Sequence, residues 1–236
     1  MPVFFGLALS PGAPSFATII ATTSPQSPQN TFSVSATDLV NSDQATFTSL
    51  VASSPTVFAG QAVTFANNGA KDYSGASNDS TGSFGSTNNG TYTFTLNTTL
   101  FPHGYELNQI DILSGFDGRR ISHNYTIDVS FVGDASFVEL IRVPLVGTNT
   151  DSGTTGTRFE IQTAVTEDST GILATGVDQI RFTFRNDSNE TVYREIDVFG
   201  AGVVVPEPST LGLAIVGLLG LGLVGQRRRK RLMISD

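Results

Sequence analysis

Thr91 to Leu96 reads TYTFTL and Asn124 to Phe131 reads NYTIDVSF, and in both stretches every second residue is large and apolar. Successive side chains of an extended chain point to opposite sides, so Tyr92, Phe94 and Leu96 share one face, as do Tyr125, Ile127, Val129 and Phe131. A helix would scatter the same residues around its circumference. The pattern predicts antiparallel strands with one face in a core and the other, carrying Thr126, Asp128 and Ser130, in water. Further strands are predicted at 32–39, 46–51, 62–65, 105–113, 137–143, 158–165, 179–184 and 192–199. Between them lie turn clusters such as Ser114-Gly115, Asp117-Gly118, Gly133-Asp134, 149–156 and 186–189. No amphipathic helical repeat exceeds two turns. The expected fold is all-β, an antiparallel β-sandwich or jelly roll, followed by one C-terminal transmembrane helix.

Residues 66–90 interrupt the strands with a run rich in Asn, Gly, Ser and Asp that can bury little. A loop of that length inside a compact domain is either functional or disordered. Hard divalent cations need six to eight oxygen ligands, and Asp72, Asn78 and Asp79, with carbonyls around Gly75, offer several, so calcium is the candidate ion against a plain loop. Their spacing matches no EF-hand.

Catalytic motifs are missing from the sequence: it contains no Gly-x-Ser-x-Gly elbow, no phosphate-cradling Gly-rich loop followed by Lys and no His-Glu-x-x-His. His103 and His123 lack a Cys or acidic partner at ligand spacing and are predicted in a loop or at a strand edge. Asp111, Asp128 and Asp197 fall in strands and could converge as a glycosidase pair; a solvated polar face is the simpler reading. Arg119 and Arg120, after a glycine turn, could hold sugar hydroxyls or carboxylates, or pair with the acidic domain.

The last part of the chain is different in kind. Pro206-Glu207-Pro208 is followed by 17 uncharged residues, 209–225, and then by Arg227, Arg228, Arg229, Lys230 and Arg231. As a helix those 17 residues would reach about 25 Å, at the short end for a hydrocarbon core of about 30 Å. The basic block assigns the C-terminus to the cytoplasm and everything before Pro206 to the outside. Two prolines fix their own φ, and Pro208 keeps Glu207 out of the helical region, so the tripeptide is predicted extended, as a protease reads its substrate.

These three parts, in this order, resemble the PEP-CTERM sorting signal of Gram-negative bacteria that make exopolysaccharide. The resemblance implies recognition by exosortase, a transpeptidase-like membrane enzyme, a transient stay in the inner membrane, and removal of the signal during sorting to the surface. A second resemblance, covering roughly Tyr92 to Gly200, is carried by IDILSGFDGRRISHNYTIDVSFVGDASFVELIRV and QIRFTFRNDSNETVYREIDVFG. These stretches are similar to the central and final strands of the galactose-binding-like, discoidin-type jelly roll. The likeness implies a fold and no particular ligand residues.

Composition agrees with export. Without the basic tail and the two acids beyond Val205, the chain keeps 8 basic and 19 acidic residues, a net charge of −11. That charge argues against a nucleic-acid partner, which needs a basic footprint. The chain has no cysteine, which excludes disulfides, thiolate metal sites and a cysteine nucleophile. Val3 to Leu9 is apolar and Ser15-Phe16-Ala17 resembles a small-x-small cleavage site, but no basic residue stands near Met1, so a signal peptide with its true start upstream is predicted. The expected organisation is a signal peptide at 1–21, a linker at 22–30, the exported β domain at 31–202 and the sorting signal at 203–236. The leading functional expectation is an exported, non-enzymatic surface or extracellular-matrix protein. The alternatives are a carbohydrate-binding module for exopolysaccharide and, less favoured, a secreted glycoside hydrolase.

Overall fold

The computed structural model describes residues 18–53, 63–71, 84–86, 90–116, 121–147, 159–185 and 191–204. Eleven strands run through them: β1 (Ile19–Thr23), β2 (Ser27–Pro28), β3 (Phe47–Ser53), β4 (Phe84–Ser86), β5 (Gly90–Leu96), β6 (Tyr105–Phe116), β7 (His123–Phe131), β8 (Asp134–Val146), β9 (Phe159–Glu167), β10 (Ala174–Phe184) and β11 (Thr191–Gly202). All pairings are antiparallel. They form a sandwich, with β3-β5-β10-β7-β8 as the front layer and β1-β9-β6-β11-β4 as the back, β2 extending the edge along β9. Strand β10 belongs to both layers. Its start pairs with β6 and its remainder lies between β5 and β7, with register shifts on either side of Val177. Gly176, at φ +84°, supplies the left-handed turn that such a shift requires.

The two alternating stretches behave as their pattern dictates. Phe182 lies opposite Tyr92 on one side and Ile127 on the other, and Ile180 opposite Phe94 and Val129, so the inner face of the front layer is continuous across three strands. Against it pack Ile110 and Ile112 of β6, Val165 of β9, and Tyr193, Ile196 and Val198 of β11, all buried. Phe84, Tyr92, Tyr125, Phe184 and Tyr193 form one aromatic cluster, with the Phe184 and Tyr193 centroids 4.5 Å apart. Edge-on and tilted ring contacts of this kind add about 0.5–1.5 kcal/mol beyond area burial.

Four expectations change. The outer face of β7 is not wet: Thr126, Asp128 and Ser130 are each at most 8% exposed. Asp128 Oδ2 accepts from Arg181 Nε and Nη2 at 3.0 and 2.9 Å, the guanidinium lies 4.1 Å from the Phe137 ring centroid, and the Ser130 hydroxyl donates to Asp178. Long polar side chains from neighbouring strands cover the short ones.

Residues 32–39 form no strand, because their amides are taken by side chains and by the flank of β11 rather than by a ladder partner. The stretch predicted as a strand at 62–65 is a short 3-10 helix, Val63–Ala66. Finally, residues assigned to the end of the leader and to the linker belong to the sandwich: β1 pairs with β9 from Ile19↔Glu167 to Thr23↔Thr163, and β2 pairs with Phe159 and Glu160. Ile19 and Ala21 turn inward onto the core. The remainder of the predicted leader, 1–17, lies outside the described residues.

The chain divides into two compact units, 1–203 and 204–236. Among the described residues no helix is long and apolar enough to cross a membrane. The predicted span 209–225 and the basic block 227–231 lie outside them.

Candidate functional site

Beyond the bulge at Arg194, β11 turns Ile196 and Val198 toward the core and Glu195 and Asp197 toward the opposite face of the back layer. Asp111 of β6 lies directly across from Asp197. This face is roofed by two pieces of non-regular chain, 31–44 and 67–71. The roof is pinned by carboxylates that accept its backbone N–H groups. Glu160 Oε2 accepts from Phe32 at 3.1 Å, Asp197 Oδ2 from Ser35 at 3.0 Å and Glu195 Oε1 from Gly69 at 3.1 Å. Asp38 belongs to the roof and reaches the other way: its Oδ1 accepts from Val40 at 3.0 Å and from Val198 of β11 at 3.2 Å. The ammonium of Lys71 donates to Glu160 Oε1 at 3.1 Å and to the Phe32 carbonyl at 2.5 Å.

Asp38, Glu195 and Asp197 are each at most 3% exposed, and in each one oxygen is engaged while the other, Asp38 Oδ2, Glu195 Oε2 or Asp197 Oδ1, has no partner. A buried carboxylate short of donors favours its protonated form. Desolvation pushes Glu195 up to about 10, opposed by the Gly69 amide and reinforced by Asp197 and Asp38. Desolvation likewise brings Asp197 to about 7 and Asp38 to about 6, each opposed by the amides it accepts. Asp111 is also raised by desolvation, with Gln109 opposing. Glu167 shows the contrast: it accepts from the amides and hydroxyls of Ser169 and Thr170 and from the amide of Gly171, and is held at about 2. Desolvation dominates in the raised acids, whereas hydrogen bonds from Thr170 and Ser169 dominate in Glu167. Among the described residues no group of three or more His, Cys, Asp or Glu side chains is arranged to hold a metal ion.

His123 is in neither a loop nor an exposed edge; it is wholly buried between the layers. Its Nδ1 lies 2.7 Å from Thr163 Oγ1 and its Nε2 2.8 Å from Ser114 Oγ. The Ser114 hydroxyl donates to the Ile121 carbonyl at 2.7 Å, so it can only accept from the imidazole. Nε2 thus carries the proton and Nδ1 accepts from Thr163, whose oxygen in turn accepts from Thr23 at 2.8 Å. Burial lowers His123 to about 3, keeping it neutral. The proton order is the reverse of a Ser–His nucleophile pair, in which the serine must donate to the ring. Thr163→Val, which removes the hydrogen-bond partner of Nδ1 with little change of side-chain shape, is expected to cost about 1–3 kcal/mol in denaturant unfolding, and a change within error would contradict a buried hydrogen bond at this nitrogen.

The three predicted strand carboxylates do not form one site. Asp111 and Asp197 do meet, as cross-strand neighbours, while Asp128 lies on the front layer paired with Arg181, so the three acids do not converge. Arg119, Arg120, Asp72, Asn78, Asp79 and the residues of the sorting signal lie outside the described residues. Sequence reasoning missed Asp38, Glu160 and Glu195. The signal for Glu195 was present, since it shares with Asp197 the face of β11 opposite Ile196 and Val198.

Among solved structures, CpGH89CBM32-5 from Clostridium perfringens, in complex with GalNAc-β-1,3-galactose, is similar with a TM-score of 0.41 and 14% identity, covering 64% of this chain and 94% of that one. A pectin-binding carbohydrate-binding module matches with a TM-score of 0.37 and 13% identity over 69% of this chain and 96% of the other. The F5/8 type C domain of a Bacteroides fragilis protein matches with a TM-score of 0.36 and 10% identity over 67% and 97%. No curated protein matches the chain. Residues 204–230 match the family model of the PEP-CTERM protein-sorting motif, and the chain carries that motif.

Proposed function

We propose that the chain is an exported, non-enzymatic β-sandwich protein of the cell surface or extracellular matrix, sorted and released through its PEP-CTERM motif. The observation that carries this reading is the motif at 204–230, which begins where the sandwich ends. In this reading the uncharged residues 209–225 hold the chain in the inner membrane while Arg227 to Arg231 stay on the cytoplasmic side. Pro206-Glu207-Pro208 presents extended backbone to an exosortase-type enzyme. One peptide C–N bond breaks, the acyl carbon takes a nucleophile, water or a primary amine, and the departing amine takes the nucleophile's proton. Intact-mass analysis of surface material from an exosortase-bearing host tests it. Loss of the basic tail is expected, as is mislocalisation of Glu207→Ala and of a chain lacking residues 211–231. Surface protein that still carries Arg231 would rule out cleavage.

A glycan-binding role for the sandwich is the second reading, supported by the strand pattern shared with the galactose-binding-like jelly roll. A glycan array read with calcium and with chelator tests both the ligand and the calcium expectation at Asp72, Asn78 and Asp79. Binding to no glycan, with a melting temperature indifferent to calcium, would leave the structural role alone.

A further inference from the structure

The end of β11 is paired with β6 almost up to the segment that leads into the processing signal. Gly200, Ala201 and Gly202 pair with Leu107, Glu106 and Tyr105 of β6, and the Val203 amide donates to the Gly104 carbonyl at 2.9 Å. Neither glycine has room for a side chain. A Cβ on Gly200 would stand 2.0 Å from the Glu106 carbonyl oxygen, and one on Gly202 would stand 2.1 Å from the Phe101 ring. That ring is itself held edge-on against Tyr105, at a centroid distance of 5.3 Å. Val204, by contrast, is 76% exposed.

The sheet therefore holds the chain up to Val203, and only Val204 and Val205 separate it from Pro206. An enzyme that binds its substrate as extended chain forms backbone hydrogen bonds on both sides of the bond it breaks. On the N-terminal side of the tripeptide, two residues are all that the closed sandwich leaves. Ala201 is paired with Glu106 and the Val203 amide is taken by Gly104, so residues 200–203 are not free extended chain.

We propose that the closing end of β11, residues 200–203, gates processing of the sorting motif: the enzyme acts on chains in which these residues have come away from β6. The proposal rests on the sorting reading above and adds to it a control by the folded state of the exported domain. Local opening of a strand end costs less than global unfolding, so the folded protein is processed slowly through fraying rather than not at all.

The test uses the full chain in a host whose exosortase is induced only after the substrate has been exported and has folded, with tail loss followed by intact mass. Inserting six Gly and Ser residues between Val203 and Val204 is expected to speed tail loss by about tenfold, because it supplies extended backbone without opening the strand. Deleting Val204 and Val205, which brings Pro206 against the sheet, is expected to slow it. Equal rates for wild type and the spacer variant overturn the gate and leave the sorting reading standing. Tail loss in neither overturns the sorting reading, and the gate with it.

Discussion

Stability of the domain is expected to be greatest near pH 4 and to fall by about 3–5 kcal/mol between pH 5.5 and pH 9, the reverse of the rise usual for a protein whose acids are paired. Asp38, Asp197 and Glu195 have folded values near 6, 7 and 10, above the ordinary carboxylate range. From about pH 4 upward the unfolded chain gives up these protons while the folded one keeps them. The stability they contribute is thus full below about pH 4, and is lost as pH rises through the folded values. Each such proton gives a slope of up to about 1.4 kcal/mol per pH unit, discounted here because relaxation and water entry soften burial.

The acid side has the opposite sign. His123 is depressed to about 3 and Glu167 to about 2, so their contribution is present above their unfolded values and is lost as pH falls toward the folded ones. Thermal melts of the full chain in detergent from pH 4 to 9 read both limbs. Glu195→Gln keeps an acceptor for the Gly69 amide and removes the titration, so its alkaline limb is expected to flatten and its melting temperature at pH 9 to exceed that of wild type. A wild-type melting temperature at pH 9 equal to or above that at pH 5.5 would show that these three carboxyls stay ionised when buried.

The second large effect belongs to the core. Phe184 is fully buried, with Tyr193, Tyr92, Tyr125, Phe84 and Phe182 around it at centroid distances of 4.5 to 6.2 Å. Those rings come from β4, β5, β7, β10 and β11, so the site cannot collapse without moving both layers. Phe184→Ala is expected to cost about 3–5 kcal/mol, near the upper end for a buried aromatic, whereas Phe184→Leu should cost roughly half as much. Denaturant unfolding measures both. A loss under about 1 kcal/mol for the alanine variant would mean that the cluster is loosely packed.

How far the sequence could be read follows from where each residue finds its partners. The alternation in TYTFTL and NYTIDVSF is a property of single strands, and the inner faces it marks are the inner faces of the sandwich. The same rule misassigned Thr126, Asp128 and Ser130, because what covers them, Arg181, Asp178 and Phe137, comes from strands that alternation says nothing about. Residues 32–39 alternate as well as many strands do. Yet Ser35 meets Asp197 across 162 positions and Phe32 meets Glu160 across 128, and no local pattern anticipates an amide satisfied by a distant carboxylate. His123 is illegible for a similar reason, since Ser114 and Thr163 reach it from two other strands. The sorting motif is the opposite case, written contiguously and readable without a structure.

The order of the strands also bears on the timing of folding during export. Strand β1 waits for β9, and β6, at the centre of the back layer, waits for β11, the last of the described strands to be made. A chain threaded through a membrane N-terminus first cannot complete this sandwich by adding strands as they arrive, because loops of about a hundred residues have to close before the central pairings form. Until β11 has crossed, the back layer lacks its central partner and the aromatic cluster lacks Tyr193. Holding the C-terminus in the membrane during that interval would keep an incomplete, edge-exposed sheet tethered near the translocation site, where it cannot diffuse into contact with other unfinished copies.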